Sequence, residues 1–145
     1  GMDKMLNEGQ VKRDSVTESV KFADVRQRNI SNVFLGNLRI VEGSAVNSAA
    51  YPIARIRIIG ELYNDKNIVI ATRVAFGGNV VSDERLASLN EEEIKSALSI
   101  PQGSDMSNNR IPPGGKIPFM LVFVREPAGV VKTTIMPLSA EKLAP

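Results

Sequence analysis

The sequence contains no cysteine and no histidine among its 145 residues. These two absences exclude thiol nucleophiles, thiolate metal sites and histidine general bases, and they remove the commonest ligand of transition metals. No apolar run approaches the roughly 18 to 20 residues that a membrane-spanning helix needs. We therefore expect no catalytic residue, no cofactor-binding residue and no metal ligand in this chain.

The charge balance gives little information about a binding partner. Lysine and arginine together number 18 against 16 for aspartate and glutamate, so the net charge is +2. Nucleic acid binding needs a clustered positive field, and this balance gives no reason to expect a nucleic acid partner. The length and the 43% apolar content fit one domain with one core.

The first third of the chain changes from polar to strand-like. Residues 1–30 are charged and are interpreted as a linker followed by an edge segment. Within them VKFADV (20–25) fits either a first strand or a short helix. The segment 33–47 is rich in branched residues, and its Gly36 and Gly43 predict a strand with a bulge or bend near one glycine.

The clearest alternation occurs in two segments joined by the turn-forming NDKN, residues 64–67. The apolar faces are Ile56, Ile58, Gly60 and Leu62 in the first segment, and Ile68, Ile70, Thr72, Val74 and Phe76 in the second. Matching these faces in a hairpin pairs Ile58 with Thr72 and places Arg57 opposite Arg73.

Two further strands are predicted near the end of the chain. KIPFMLVFV (116–124) is apolar on both faces, which is typical of a central strand that is covered on both sides. VVKTTIMPL (130–138) predicts a last strand that ends at Pro137, with residues 139–145 as a frayed tail.

Residues 82–99 predict a pair of short helices. Ser82 and Asn90 are good N-caps, and acidic residues follow each of them in the first turn. Glu91 and Lys95 have the spacing of a favourable i,i+4 pair. Helices this short are not stable alone, so their apolar stripes should dock over the strand 116–124. These stripes consist of Leu86, Leu89, Ile94, Ala97 and Leu98.

The predicted fold is therefore an all-β antiparallel β-sandwich at residues 31–138, with a two-helix insertion at about 82–99. The segments 1–30 and 139–145 flank this sandwich.

Arg55, Arg57 and Arg73 are the predicted interaction patch, because the expected register places three cations on one outer sheet face, where an acidic partner or an anionic surface would bind. The alternative is a solvated face that is balanced by Glu42 and Glu61.

Three other motifs are read structurally. FGGN (76–79) lacks the lysine of a phosphate-binding loop and is interpreted as a bend. EEE (91–93) is interpreted as helix capping, since consecutive helical carboxylates point in different directions. SDMSNN (104–109) offers a serine without any recognisable base, so the chain is expected not to be an enzyme. The loop 101–115 is long enough to be mobile or functional.

Four blocks of sequence carry a resemblance to a known family. They are IVEGSAVN (40–47), GELYNDKNIVIA (60–71), GGNVVSDERLASLNEEEIKSAL (77–98) and NNRIPPGGKIPFMLVF (108–123). They resemble the domain of unknown function found C-terminal to the zinc ribbon and transmembrane helix of bacterial zinc-ribbon membrane proteins.

The resemblance implies an immunoglobulin-like sandwich with no established activity. It also implies an extracytoplasmic position on the periplasmic side, anchored by an upstream membrane helix that is not present in this chain. The expected function is a non-catalytic module for protein–protein interaction, or a spacer. The alternative is a small-ligand or anion receptor that uses the arginine-rich face or the loop 101–115.

Overall fold

The structure, a computed structural model, describes residues 14–145. The first part of the predicted linker, residues 1–13, lies outside the described residues. The strands are β1 (Val20–Asn32), β2 (Gly36–Asn47), β3 (Ile53–Tyr63), β4 (Val69–Phe76), β5 (Lys116–Val124) and β6 (Lys132–Lys142). The helices are α1 (Ser15–Glu18), α2 (Asp83–Leu86) and α3 (Glu91–Ala97), with a 3-10 turn at Ser107–Asn109.

The strands form two antiparallel 3-stranded sheets in a sandwich-like arrangement. The first sheet has the order β1-β2-β5 and the second has the order β4-β3-β6. The chain crosses between the sheets three times, since each hairpin stays within one sheet and β5 and β6 then add to different sheets. The prediction of a mostly β, sandwich-like fold with short helices is confirmed.

The predicted domain boundaries fall inside strands. The segment 20–25, which fitted a strand or a helix, begins β1. At the other end β6 continues through Pro137 to Lys142, so the predicted strand end at Pro137 is wrong. β6 lies at the edge of its sheet, where a proline is tolerated because it has no N–H to give to a ladder.

The predicted bulge lies in the strand that pairs with Gly43. The register of β1 against β2 shifts between Ala23 and Arg26, and Asp24 has a positive φ of 55°. A Cβ on Gly43 would lie 3.0 Å from the Ala23 carbonyl oxygen and 3.1 Å from Val25 Cα. Gly43 therefore provides the space that the bulged strand occupies.

The predicted register of the β3–β4 hairpin is wrong. Ile58 pairs with Ala75 instead of Thr72, a shift of three residues, and Arg73 faces Gly60 instead of Arg57. Because side chains alternate, an odd shift moves every side chain of β4 to the opposite face. The buried face of β3 is as predicted, but Val74 of β4 is exposed.

Side chains on both faces of β5 are buried, as predicted for a strand covered on both sides. A Cβ on Gly60 of β3 would lie 2.7 Å from Leu121 Cδ1 and 3.3 Å from Phe123 Cζ, so this face of β5 packs on the second sheet. Met120, Val122 and Val124 of the opposite face are buried too.

α2 and α3 lie on this opposite face of the first sheet. Arg28 of β1 pairs with Ile40 of β2, which in turn pairs with Val122 of β5, so the three side chains share this face. Arg28 Nη2 lies 3.0 Å from Asp83 Oδ1 at the start of α2. Leu86, Ile94 and Leu98 of the helical pair are buried in the common core. The helices therefore provide the second cover of β5 that its sequence predicted.

Four asparagines are buried in the described part of the chain and hold the loops to the sheets: Asn32, Asn47, Asn79 and Asn108. The Asn108 side chain hydrogen-bonds to the Ile56 backbone as a neighbouring strand would. It accepts from Ile56 N at 2.9 Å and donates to Ile56 O at 3.0 Å. Asn79 Nδ2 donates to the Ile100 carbonyl and its Oδ1 accepts from Ser104 N, each at 2.9 Å. The loop 101–115 is therefore attached to the core by specific hydrogen bonds.

Candidate functional site

The outer edge of β4 faces the helical pair. Phe76 N–H donates to the Leu98 carbonyl beyond α3, with an N···O distance of 3.1 Å. The next amide, that of Gly77, points the other way and donates to the Ile56 carbonyl of β3 at 2.9 Å. Successive residues of β4 therefore direct their backbone groups alternately to α3 and to β3.

This alternation identifies the backbone groups at the open part of the edge. Thr72 and Val74 have the same parity as Phe76, so their N–H and C=O groups point away from β3. Within residues 14–145, the Thr72 carbonyl accepts from Arg73 Nη1 at 2.8 Å, and no loop or helix pairs with the Val74 backbone. Val74 is 41% exposed. The edge is closed at Phe76 by Leu98 and open from Val74 towards the start of the strand.

A cleft of about 510 Å³ adjoins this open edge. It lies between β4, the edge of β5 and α3. Its lining consists of Thr72, Arg73, Val74, Ala75, Ile94, Lys95, Leu98, Ser99, Leu121 and Val122. The lining is mostly apolar with a few polar groups, which is the composition of binding sites.

The charged groups of the cleft are both cations, Arg73 and Lys95. Arg73 stacks on the core, with its Cζ 5.9 Å from the ring centroid of Phe123. Lys95 Nζ lies 3.8 Å from Glu92 Oε2 on the exposed surface of α3. The pairing of Glu91 with Lys95 predicted from the sequence is replaced by a contact of 2.6 Å between Glu91 and Arg125.

The three arginines of the predicted patch do not share one face. Arg57 lies on the outer face of the second sheet, with its Cζ 5.6 Å from the Phe76 ring centroid. Arg55 has a positive φ of 55° and donates to Asn109 Oδ1 at 2.9 Å. Arg73 points to the inner face because it pairs with Gly60. The predicted cluster was wrong because it depended on the hairpin register.

Four other arginines of the described residues are engaged by carboxylates: Arg26, Arg28, Arg39 and Arg125. Glu42, whose side chain is 9% exposed, accepts from Arg28 Nε at 2.6 Å and from Arg26 Nε at 3.1 Å. Arg39 forms two hydrogen bonds of 2.8 Å to Glu126, and these bonds hold the pKa of Glu126 below its ordinary value. In the same part of the chain, Arg73 has no carboxylate within salt-bridge distance. Its positive charge is available to a ligand.

A larger cleft, of about 720 Å³, lies between the β1–β2 turn and the start of α3. Its acidic residues are already used in the fold. Asn90 and Glu93 form a reciprocal capping box with hydrogen bonds of 2.9 Å, which confirms the capping interpretation of EEE. Glu91 binds Arg125.

The remaining motifs have structural positions. FGGN forms the predicted bend: Gly78 has a φ of +86°, and a Cβ on it would lie 3.0 Å from Gly103 Cα. In SDMSNN, Asp105 Oδ1 accepts from Ser107 N at 2.9 Å, and hydrogen bonding from Ser107 lowers the pKa of Asp105.

Exposed apolar side chains gather at one end of the sandwich, where the β1–β2, β3–β4 and β5–β6 loops meet. They are Val33, Phe34, Ile68, Val69 and Val131. Patches of this kind mark contact surfaces. The larger cleft opens beside Phe34 at this end, and its carboxylates Glu91 and Glu93 are already bound within the fold.

Sequence reasoning missed the cleft. Arg73 and Lys95 lie on different elements, and only the docking of α3 beside β4 brings them to one site. Both faces of β4 carry apolar residues, so no local pattern showed that the face of Ala71, Arg73 and Ala75 points inward.

Comparisons with known proteins give one finding. A family model described as "Protein of unknown function (DUF3426)" matches residues 20–135. No curated protein and no solved structure gives a significant match. Within residues 14–145, none of the helices has the length and apolar character to span a membrane.

Proposed function

The chain belongs to the DUF3426 family of proteins of unknown function, and on that premise we propose that it is a non-catalytic module that binds a protein partner by strand addition. An extended segment of the partner pairs with the open edge of β4. The observation that carries this proposal is the outward-pointing backbone of Thr72 and Val74 beside an apolar cleft.

Strand addition at this surface would provide both affinity and specificity. Main-chain hydrogen bonds to the edge give affinity, and alternate side chains of the added strand enter a pocket and give specificity. Here the inner-face side chains of the added strand would enter the cleft between β4 and β5. The native bond from Phe76 to Leu98 already uses the same edge, so the geometry for pairing is present in the fold.

The finer architecture is part of the proposal. The resemblance to zinc-ribbon membrane proteins supports an immunoglobulin-like sandwich on the periplasmic side, anchored by a membrane helix upstream of residue 1. The coding sequence upstream of this chain tests the anchoring: a cysteine-rich ribbon followed by a membrane helix is expected, and a gene without them would contradict it.

A small-ligand receptor is the second candidate function. The cleft volume of about 510 Å³ lies in the range of small-molecule sites. Such a ligand would fill the cleft without pairing with the β4 backbone, so the two functions differ in what happens at the edge.

Amide hydrogen exchange followed by NMR tests the open edge directly. Thr72 and Val74 amides should exchange fast in the free protein, whereas Arg73 and Ala75, which point to β3, should be protected. Slow exchange at Val74 in the free protein would show that the edge is closed and would remove the basis of strand addition.

A selection from a library of linear heptapeptides displayed on phage tests binding. Val74→Pro removes an edge N–H without removing a bond to β3, and should lower the affinity for selected peptides at least tenfold. Val74→Thr keeps the N–H and the branched shape, and should bind as the wild type does. Thermal melting of both variants verifies that each is folded. Equal binding by all three proteins would contradict the proposal.

A further inference from the structure

Building on the proposed strand addition, we propose that the bound segment carries an apolar side chain that fills the cleft and a carboxylate that binds Arg73 and Lys95. The cleft thus selects acidic-apolar segments from among extended peptides. The carboxylate comes either from an acidic side chain or from the C-terminus of the segment.

The apolar part of the recognition comes from the floor of the cleft. Ile94, Leu98, Leu121 and Val122 are all at most 5% exposed, although they line an opening at the surface. An aliphatic or aromatic side chain that enters this opening would exchange water contact for contact with these residues.

The acidic part comes from the charge of the rim. Arg73 and Lys95 are the charged lining residues, and both are positive. A guanidinium has five N–H donors in a fixed fork, and the bond that the structure gives to Arg73 uses Nη1 alone, on the Thr72 carbonyl. The other donors can bind a carboxylate, and charge-assisted bonds of this kind are about twice as strong as neutral ones.

The hydrogen bond from Arg73 Nη1 to the Thr72 carbonyl couples recognition of the carboxylate to strand addition. In the free protein, Arg73 Nη1 covers the Thr72 carbonyl, which is one of the edge groups that an added strand needs. A carboxylate that draws the guanidinium away would release this carbonyl to pair with the incoming main chain. Arg73 thus protects the edge against indiscriminate pairing and exposes it to a segment that carries an acid.

Strand geometry fixes the spacing of the two recognised groups. Arg73 and the floor of the cleft both lie on the inner side of β4, so both groups must project from one face of the added strand. Side chains on one face recur at every second residue. The expected pattern is therefore an apolar residue and a glutamate or aspartate two positions apart, or an apolar residue in the penultimate position of a segment whose last residue has a free carboxylate.

Fluorescence polarisation with four fluorescein-labelled peptide pools tests the pattern. Two pools carry Leu-X-Glu or Leu-X-Gln in the middle of a heptapeptide with an amidated C-terminus. The other two end in Leu-X with a free or an amidated C-terminus. The acidic pools are the one with glutamate and the one with a free C-terminus. The wild type should bind one of them at least tenfold more tightly than its neutral counterpart, and the pool that shows this difference identifies the source of the carboxylate.

The double variant Arg73→Gln/Lys95→Gln should lose this preference, and because it frees the Thr72 carbonyl it should bind the neutral pools at least as tightly as the wild type does. The control Arg85→Gln/Lys116→Gln removes two exposed cations outside the cleft and should keep the preference. Arg85, Lys95 and Lys116 are exposed and Arg73 is half-buried, so thermal melting checks that both variants fold.

The outcomes separate the two proposals. If acidic and neutral pools bind equally and protect the Val74 amide, strand addition stands and selection of an acid is wrong. If no pool protects the Val74 amide, strand addition fails and the present proposal fails with it. Decanoate is the small-molecule probe: if it binds to the cleft while all peptide pools fail, the small-ligand function replaces both.

Discussion

The hydrogen bonds of Asn108 give the sharpest prediction about stability. Its side chain pairs with both backbone groups of Ile56, and both residues are fully buried. In Asn108→Ala, the Ile56 N–H loses its partner in a site that is closed to bulk water, whereas the Ile56 carbonyl keeps the hydrogen bond from Gly77 N–H. Leaving one buried polar group unsatisfied costs about 1 to 3 kcal/mol, so Asn108→Ala should lower the unfolding free energy by about 1 to 3 kcal/mol.

This free energy converts into a measurable shift. For a chain of this length, 1 kcal/mol corresponds to about 3 °C in Tm, so Asn108→Ala should melt about 3 to 9 °C lower than the wild type. Urea unfolding should show a lower midpoint with an unchanged m value, because the surface exposed on unfolding is the same.

Two further variants separate hydrogen bonding from packing and from loop effects. Asn108→Asp keeps the shape and the acceptor for Ile56 N–H, but it places an acceptor opposite the Ile56 carbonyl, so it should also be destabilised at pH 7. Asn109→Ala changes an exposed neighbour that binds only Arg55, and should shift the unfolding free energy by less than about 0.5 kcal/mol. A loss below about 1 kcal/mol in Asn108→Ala would refute the idea that this asparagine acts as a substitute strand.

Three other predictions follow from single sites. Gly60→Ala should lower the unfolding free energy by about 1 to 3 kcal/mol, because the new Cβ would lie 2.7 Å from Leu121 Cδ1. Urea melts of Gly60→Ala/Leu121→Val should show a loss smaller than the sum of the two single changes, and strict additivity would contradict the predicted clash. Arg39 lowers the pKa of Glu126 from 4.5, so the stability from this pair is complete above that pH and is lost as the pH falls through the folded pKa. The stability difference between wild type and Glu126→Gln should therefore shrink from pH 7 to pH 3, and a constant difference would disprove this linkage. Phe34→Ser should change the unfolding free energy by less than about 0.5 kcal/mol because Phe34 is 71% exposed, and a larger loss would show that this side chain packs against the fold.

Local features of the fold could be predicted because their causes lie within a few residues. Ser82 and Asn90 cap α2 and α3 as expected, since a cap requires only a side-chain oxygen near the first turn. The buried face of β3 follows from strict alternation, and the two-sided burial of β5 follows from its apolar residues on both faces.

The β3–β4 register could not be read from the same alternation. Both faces of β4 carry apolar residues, so Ile68 and Val74 fit an inward face as well as Ala71 and Ala75 do. The structure has a register shift between Leu62 and Tyr63. This irregularity moves the pairing by an amount that side-chain pattern alone does not encode.

The amino-acid order by itself determined most of the strand segments, where the two short helices begin, and that one strand needs cover on both faces, because these depend on local periodicity and capping. Tertiary structure alone decided that Arg73 turns inward and meets Lys95 beside an open strand edge. That site depends on pairings between residues distant in sequence, and their free energies are settled only when the two sheets and the helical pair pack together.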